Sequence, residues 1–186
     1  MEFFDRTKWI LFNPKKEWTV IEAEDKPHVK VLLEHLLILA VIPVVAILVS
    51  YLLSDDPEYQ FKFGVIRAAM QFVAIVGGAY CTAAVIYAFA EQFGCEKDFN
   101  RTFALAAYSY TPLGIAGLFY FYIPLAWIVP YLGLYGFYLL YLGVELQLKP
   151  SNEKKTLCFI FSLIVMLVVW VLFYKFVSEI IISIFK

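Results

Sequence analysis

Few side chains in this 186-residue sequence could do chemistry. The histidines are His28 and His35, the cysteines are Cys81, Cys95 and Cys158, and neither set has the spacing of a metal site or a redox pair. There is no H-E-x-x-H, no D-x-D and no glycine-rich phosphate loop opening a helix. No catalytic, cofactor-binding or metal-binding residue is therefore assigned, and a disulfide framework is not expected. What stands out is Glu145, an acid inside an apolar run. At about 100° per residue it shares a helix face with Trp127, Tyr131, Tyr135, Tyr138 and Tyr141. Such a face could hold a cation or a lipid headgroup. The competing expectation is that Glu145 hydrogen-bonds Tyr108, Tyr110 or Tyr141, or reaches up to the membrane surface.

The element that must position this face is the second arm of a hairpin running from Arg101 to Pro150. Gly133, Gly136, Gly143 and Gln147 fall on its opposite side, where glycine allows another helix backbone to approach closely. In the first arm, Pro112 cannot donate to the carbonyl of Tyr108, so the helix is expected to kink or unwind around Tyr108 to Thr111. Tyr108, Tyr110, Thr111 and Pro112 then join the tyrosines of the second arm as candidate partner-facing or lipid-facing residues.

The rest of the chain fits a membrane setting. Its hydrophobic content of 62% exceeds what a soluble domain of this size can bury, and its mean hydropathy is +0.76. The expected fold is all-α, a polytopic membrane protein with five transmembrane helices over 31–53, 65–90, 102–121, 125–148 and 157–180. An N-terminal segment, 1–30, precedes them, and no cleaved signal peptide is read in it. Asn13 followed by Pro14 is a helix start signal, and the amphipathic helix Pro14 to Glu24 is expected to lie in the membrane interface through Trp18 and Ile21. In the first span, Glu34 and His35 sit within a turn of the membrane surface, where they could reach headgroups. In the second, Ala74, Gly77, Cys81, Ala84 and Ala88 recur every three or four residues, a seam of small residues expected to pack against another helix of the protomer or of a second copy. The loop Ser54 to Phe63 is short and acidic, and an interfacial helix is expected to continue beyond Tyr174.

Three stretches carry a resemblance. YSYTPLGIAG, the later LYGFYLLYLGVELQLKP and the N-terminal LFNPKKEWTVIEAE together resemble the signature regions of the Ypt-interacting protein (YIP) family, the last one that of its short bacterial members. The resemblance implies a multi-span membrane protein that binds other membrane components without catalysis. Eukaryotic relatives act in vesicle traffic and bind Rab-type GTPases through a longer cytosolic N-terminal region than the Met1–Lys30 present here, which counts against GTPase binding by this chain.

The expected function is accordingly a non-catalytic membrane scaffold or adaptor, with a conduit for lipid or small solutes as the alternative. Expected partners are membrane lipids, and after them other membrane proteins or a second copy. A formal charge of −1 gives no reason to expect nucleic acid. With the N-terminus in the cytoplasm, eleven cations from Arg6 to Lys155 lie inside, against Lys62, Arg67, Lys175 and Lys186 outside, which sets the C-terminus outside. This orientation predicts that Cys95 is shielded from a membrane-impermeant maleimide in intact cells.

Overall fold

The computed structural model describes residues 3–53 and 57–184. The described residues form helices and turns with no strand. Ten α-helices follow in order: α1 (Phe3–Phe12), α2 (Pro14–Glu24), α3 (His28–Val31), α4 (Leu37–Leu52), α5 (Pro57–Phe89), α6 (Phe99–Ser109), α7 (Thr111–Ala116), α8 (Val129–Gly133), α9 (Tyr135–Leu148) and α10 (Lys155–Ile184). A π-helical turn, Leu32–Leu36, joins α3 to α4, and two 3₁₀ stretches, Gly117–Phe121 and Ile123–Ile128, join α7 to α8.

Among the described residues, four helical runs are long and apolar enough to cross a membrane: His28–Leu52, Lys62–Phe89, Pro124–Leu148 and Lys155–Phe173. The expected third span is not a continuous helix, because the chain turns at Tyr110 between α6 and α7 and then narrows to 3₁₀. Pro112 is the cause, removing the backbone donor that would have continued the ladder. Residues 99–121 nevertheless travel from one end of the bundle to the other. At their start, Glu96 N donates to Leu148 O at 2.6 Å, and Ser151 N donates to Gly94 O at 3.2 Å, so the loop before α6 meets the loop after α9. At their finish, Tyr120 packs with Ile47, Tyr51 and Ala68, and Arg67 lies over its ring. This third passage in chain order, added to the four continuous runs, is thus made by a broken helix. The C-terminal segment is likewise one helix, α10, continuous to Ile184. Of the acidic loop, Ser54, Asp55 and Asp56 lie outside the described residues, and α5 already starts at Pro57.

The small-residue seam of α5 divides within the protomer: Gly77 lies against Phe173 of α10 and Ala74 is half-buried, whereas Cys81, Ala84 and Ala88 are exposed. The packed face lies one position round the helix, on Ile75, Ala79, Thr82, Ala83 and Ile86. Rings decide this, since Tyr80 meets Phe103 and Tyr87 meets Phe99, turning the tyrosine side of α5 toward α6. One expectation is corrected: Cys95 and Cys158 form a disulfide, with Cα atoms 6.4 Å apart and a sequence separation of 63. The absent C-x-x-C spacing was no guide, because Cys95 sits on the loop before α6 and Cys158 in the first turn of α10, which only the closed fold brings together. Cys95 therefore offers no free thiol for the labelling experiment, and exposed Glu153 on the adjoining loop takes its place as Glu153→Cys. The disulfide lies at the end holding the cationic majority, so charge and thiol chemistry point to opposite compartments for that end.

The glycine face of α9 is used internally. A Cβ on Gly136 would collide with the carbonyl oxygen of Ser109, and one on Gly143 would lie 2.6 Å from Leu105 and 2.7 Å from Trp18. The sign for Gly143→Leu is therefore destabilising, by about 1–3 kcal/mol or more from overpacking. Ala84→Leu, on the outward face of α5, should leave the melting temperature of the protomer in detergent unchanged, and a parallel melt of the two variants checks the contrast.

Candidate functional site

The N-terminal helices form a cap over the bundle. Helix α1 carries Arg6, Thr7 and Ile10 on its inner side, while Phe4, Trp9 and Phe12 point outward. Helix α2 has the predicted bounds but not the predicted setting. Its Trp18 is fully buried against Gly143 and Tyr108, and Ile21 is buried too, so its apolar side packs on protein where lipid was expected. The outward aromatic side chains belong to α1.

Arg6 holds the cap together. Its guanidinium donates to Glu17 at 2.5 Å and to Glu24, and lies 5.9 Å from the centre of the Tyr108 ring. Arg6 and Glu17 are both buried. An ion pair withdrawn from water in this way adds little net stability over an apolar substitute, but losing one partner leaves an uncompensated charge. Lys26 extends the network to Glu24 and Glu34. Sequence reasoning missed Arg6, Glu17 and Glu24 as a unit. The near-equal numbers of acids and bases in Met1–Lys30 were a signal of internal pairing.

Beneath the cap, the π-helical turn aims His35 at the break in the third passage. Its Nε2 is hydrogen-bonded to Thr111 Oγ1 at 2.9 Å, and its ring contacts Phe3 and Tyr108. His35 is buried, and its Nδ1 has no partner among the described residues. The headgroup setting expected for it is corrected, although Glu34 next to it does stay at the surface with Lys26 and Lys30. A π-turn rotates the side chains after it, which no apolar periodicity announces.

The predicted lipid-facing or partner-facing residues divide into two groups. Tyr108, Tyr110, Thr111 and Pro112 are buried within the fold, and the Tyr110 hydroxyl lies 3.5 Å from Thr82 Oγ1. Tyr131, Tyr138 and Tyr141 are exposed on α8 and α9, beside Trp127. Tyr135 stands between the groups and donates from its hydroxyl to Leu11 O at 2.8 Å, fastening the elbow between α1 and α2 to α9. Glu145 pairs at 2.5 Å with Lys155, not with a tyrosine. Among the described residues, no group of three His, Cys, Asp or Glu side chains could hold a metal ion.

A broken third passage, a glycine-faced fourth and a docked N-terminal helix after Asn13-Pro14 fall together within one known domain. Residues 8–173 match the Yip1 domain. The chain belongs to the Yip1-domain family. It is similar to the inner membrane protein YohC of Escherichia coli strain K12, 27% identical over 158 residues, covering 78% of this chain and 80% of YohC. YohC of Escherichia coli O6:H1 strain CFT073 gives the same identity and coverage. No solved structure matches. The Yip1-family chain is thus a multi-pass membrane protein with an inner membrane relative; Glu17, Glu24 and Lys26 of the cap lie within the matched domain, and Arg6 precedes it.

The cap can be tested apart from the bundle. Arg6→Met strands the buried Glu17 carboxylate and should cost docking of α1 and α2 about 3–5 kcal/mol. Burial raises the Glu24 carboxyl, but the hydrogen bond from Arg6 and the charges of Arg6 and Lys26 outweigh it, holding Glu24 below its ordinary value of 4.5. Its contribution is then fully present above that value and is lost as pH falls through the lower folded-state value. Amide exchange of residues 3–24 should rise in Arg6→Met at neutral pH, and in the native chain only on acidification below about pH 4.5.

Proposed function

We propose that this Yip1-family protein is a non-catalytic membrane scaffold or adaptor that binds other membrane components through the outward side of α8 and α9. One observation carries the reading: Trp127, Tyr131, Tyr138 and Tyr141 are exposed along the fourth passage, although Gly136 and Gly143 on the other side of α9 are used in packing. Tyrosine and tryptophan supply large, amphipathic contact area at low entropic cost, and are favoured where proteins meet each other or the membrane surface. The outward small residues of α5, Cys81, Ala84 and Ala88, form a second surface in this proposal, for close approach of another copy. The N-terminus is placed in the cytoplasm and the C-terminus outside, on the distribution of cations.

A conduit for lipid is the second reading, favoured by clefts flanking the broken passage. One of about 380 Å³ opens between α5, α8 and α10 and includes Gln71 and Tyr110; another, of about 590 Å³, lies between α7 and α8.

A photocrosslinker at position 131 in native membranes distinguishes them. Under the scaffold reading, Tyr138→Phe and Glu145→Gln preserve the fold and lower capture of membrane partners several-fold, whereas Tyr135→Phe acts differently, by loosening the elbow. Under the conduit reading, the purified protein alone speeds lipid flip-flop in liposomes, and a clear rate enhancement would replace the scaffold with the conduit.

A further inference from the structure

Two grooves run along one side of α8 and α9 and share an edge formed by the elbow between α1 and α2. The first, about 390 Å³, is amphipathic, lined by Lys15, Tyr138, Tyr141 and Glu145 together with Leu142 and Leu146, and is called the polar groove for its two charges. The second, the cleft of about 590 Å³, is apolar and is lined by Pro112, Ile115, Leu118, Phe119 and Leu132, with Tyr135 at its border. Leu11 of the elbow lines the apolar groove and Lys15 lines the polar one. Along the helix, residues 132, 135, 138, 142 and 145 follow each other at spacings of three and four, so the grooves are in register on a single face. The polar groove lies toward the end that carries Lys149 and Lys155, and the apolar groove lies toward the interior of the fourth passage.

A polar pocket at the membrane surface that continues into an apolar one at depth has the amphipathy of a single phospholipid. The charges narrow the class. Lys15 offers a cation, while Glu145 offers an anion beside two tyrosine rings, so the groove is itself zwitterionic. Glu145 already holds an ammonium, that of Lys155 at 2.5 Å, and both side chains are well exposed and free to exchange partners. An ammonium that can donate hydrogen bonds reproduces this contact, a quaternary ammonium cannot, and an anionic headgroup without any ammonium leaves Glu145 opposed by like charge.

We propose that the paired grooves form a binding site for a zwitterionic phospholipid with a primary ammonium headgroup, its phosphate at Lys15, its ammonium at Glu145, Tyr138 and Tyr141, and one acyl chain in the cleft bordered by Leu132 and Phe119. The site deepens the scaffold reading by naming one component that the outward face of α9 takes, and it rests on that face being free to engage the membrane. Lys155, released from Glu145 by the incoming ammonium, is left to join Lys15 at the phosphate.

The test uses the full chain reconstituted in nanodiscs of equal parts phosphatidylethanolamine, phosphatidylcholine and phosphatidylglycerol with matched acyl chains, followed by native mass spectrometry of retained lipid. The native chain should retain phosphatidylethanolamine several-fold over the other two. Glu145→Gln should abolish that preference, about a tenfold change for a lost charge-assisted contact, while Lys15→Gln should lower retention of all three. Both side chains are exposed, so circular dichroism should show unchanged melting. Equal retention by the native chain, strongest retention of phosphatidylglycerol, or an intact preference in Glu145→Gln would overturn the site. If the site fails in this way while the position-131 crosslink still captures partners in a Tyr138-dependent manner, the scaffold reading stands alone; if capture also fails, both fall.

Discussion

A backbone carbonyl deprived of its donor within a membrane must find another partner or be closed off by protein, and that constraint shapes this molecule more than any other. Pro112 creates the condition. The third passage answers it by splitting into α6 and α7, and the structure around the split supplies what a continuous helix would not need: the Thr111 hydroxyl, the buried His35 and the close approach of Gly136 to the Ser109 carbonyl. A leucine-only helix would have crossed alone. This one requires neighbours on three sides.

The N-terminal cap follows from the same requirement. The ring of Tyr108, four residues before Pro112, is packed by Trp18 edge-on, by His35 and by the Arg6 guanidinium. Placing a guanidinium there brings a desolvation cost, which Glu17 and Glu24 offset. The chain therefore has a reason to keep two short amphipathic helices ahead of its first span. Their polar interior answers the break, and their outer aromatic residues, Phe4, Trp9 and Phe12, suit a membrane surface.

Much of this architecture could be read from the residues. Apolar run length located the passages, Asn13-Pro14 set the start of α2, Pro112 located the break, and glycine spacing found the packed side of α9. What escaped depends on partners distant in sequence. Arg6 is 11 residues from Glu17, His35 is 76 from Thr111, and Cys95 is 63 from Cys158; none of these distances is a period of helix or loop. On α5 both sides carry small residues, and which of them is fully buried in the protomer was decided by the rings of Phe99 and Phe103 on another helix. At the candidate site, the outward half, Tyr131, Tyr138, Tyr141 and Glu145, followed from the wheel of one helix. The inward half, Tyr108 to Pro112, needed the fold.

Helix α5 runs unbroken for 33 residues, roughly 50 Å at 1.5 Å per residue, against a hydrocarbon core of about 30 Å. No rigid rod of that length can stand upright and remain wholly within the bilayer; it must lean, or stand proud of the surface by several turns. Because α5 is packed along both α4 and α10, a change in its inclination carries those helices with it. Bilayer thickness is thereby coupled to the whole bundle, and membranes of different thickness will favour different tilts of the same protein.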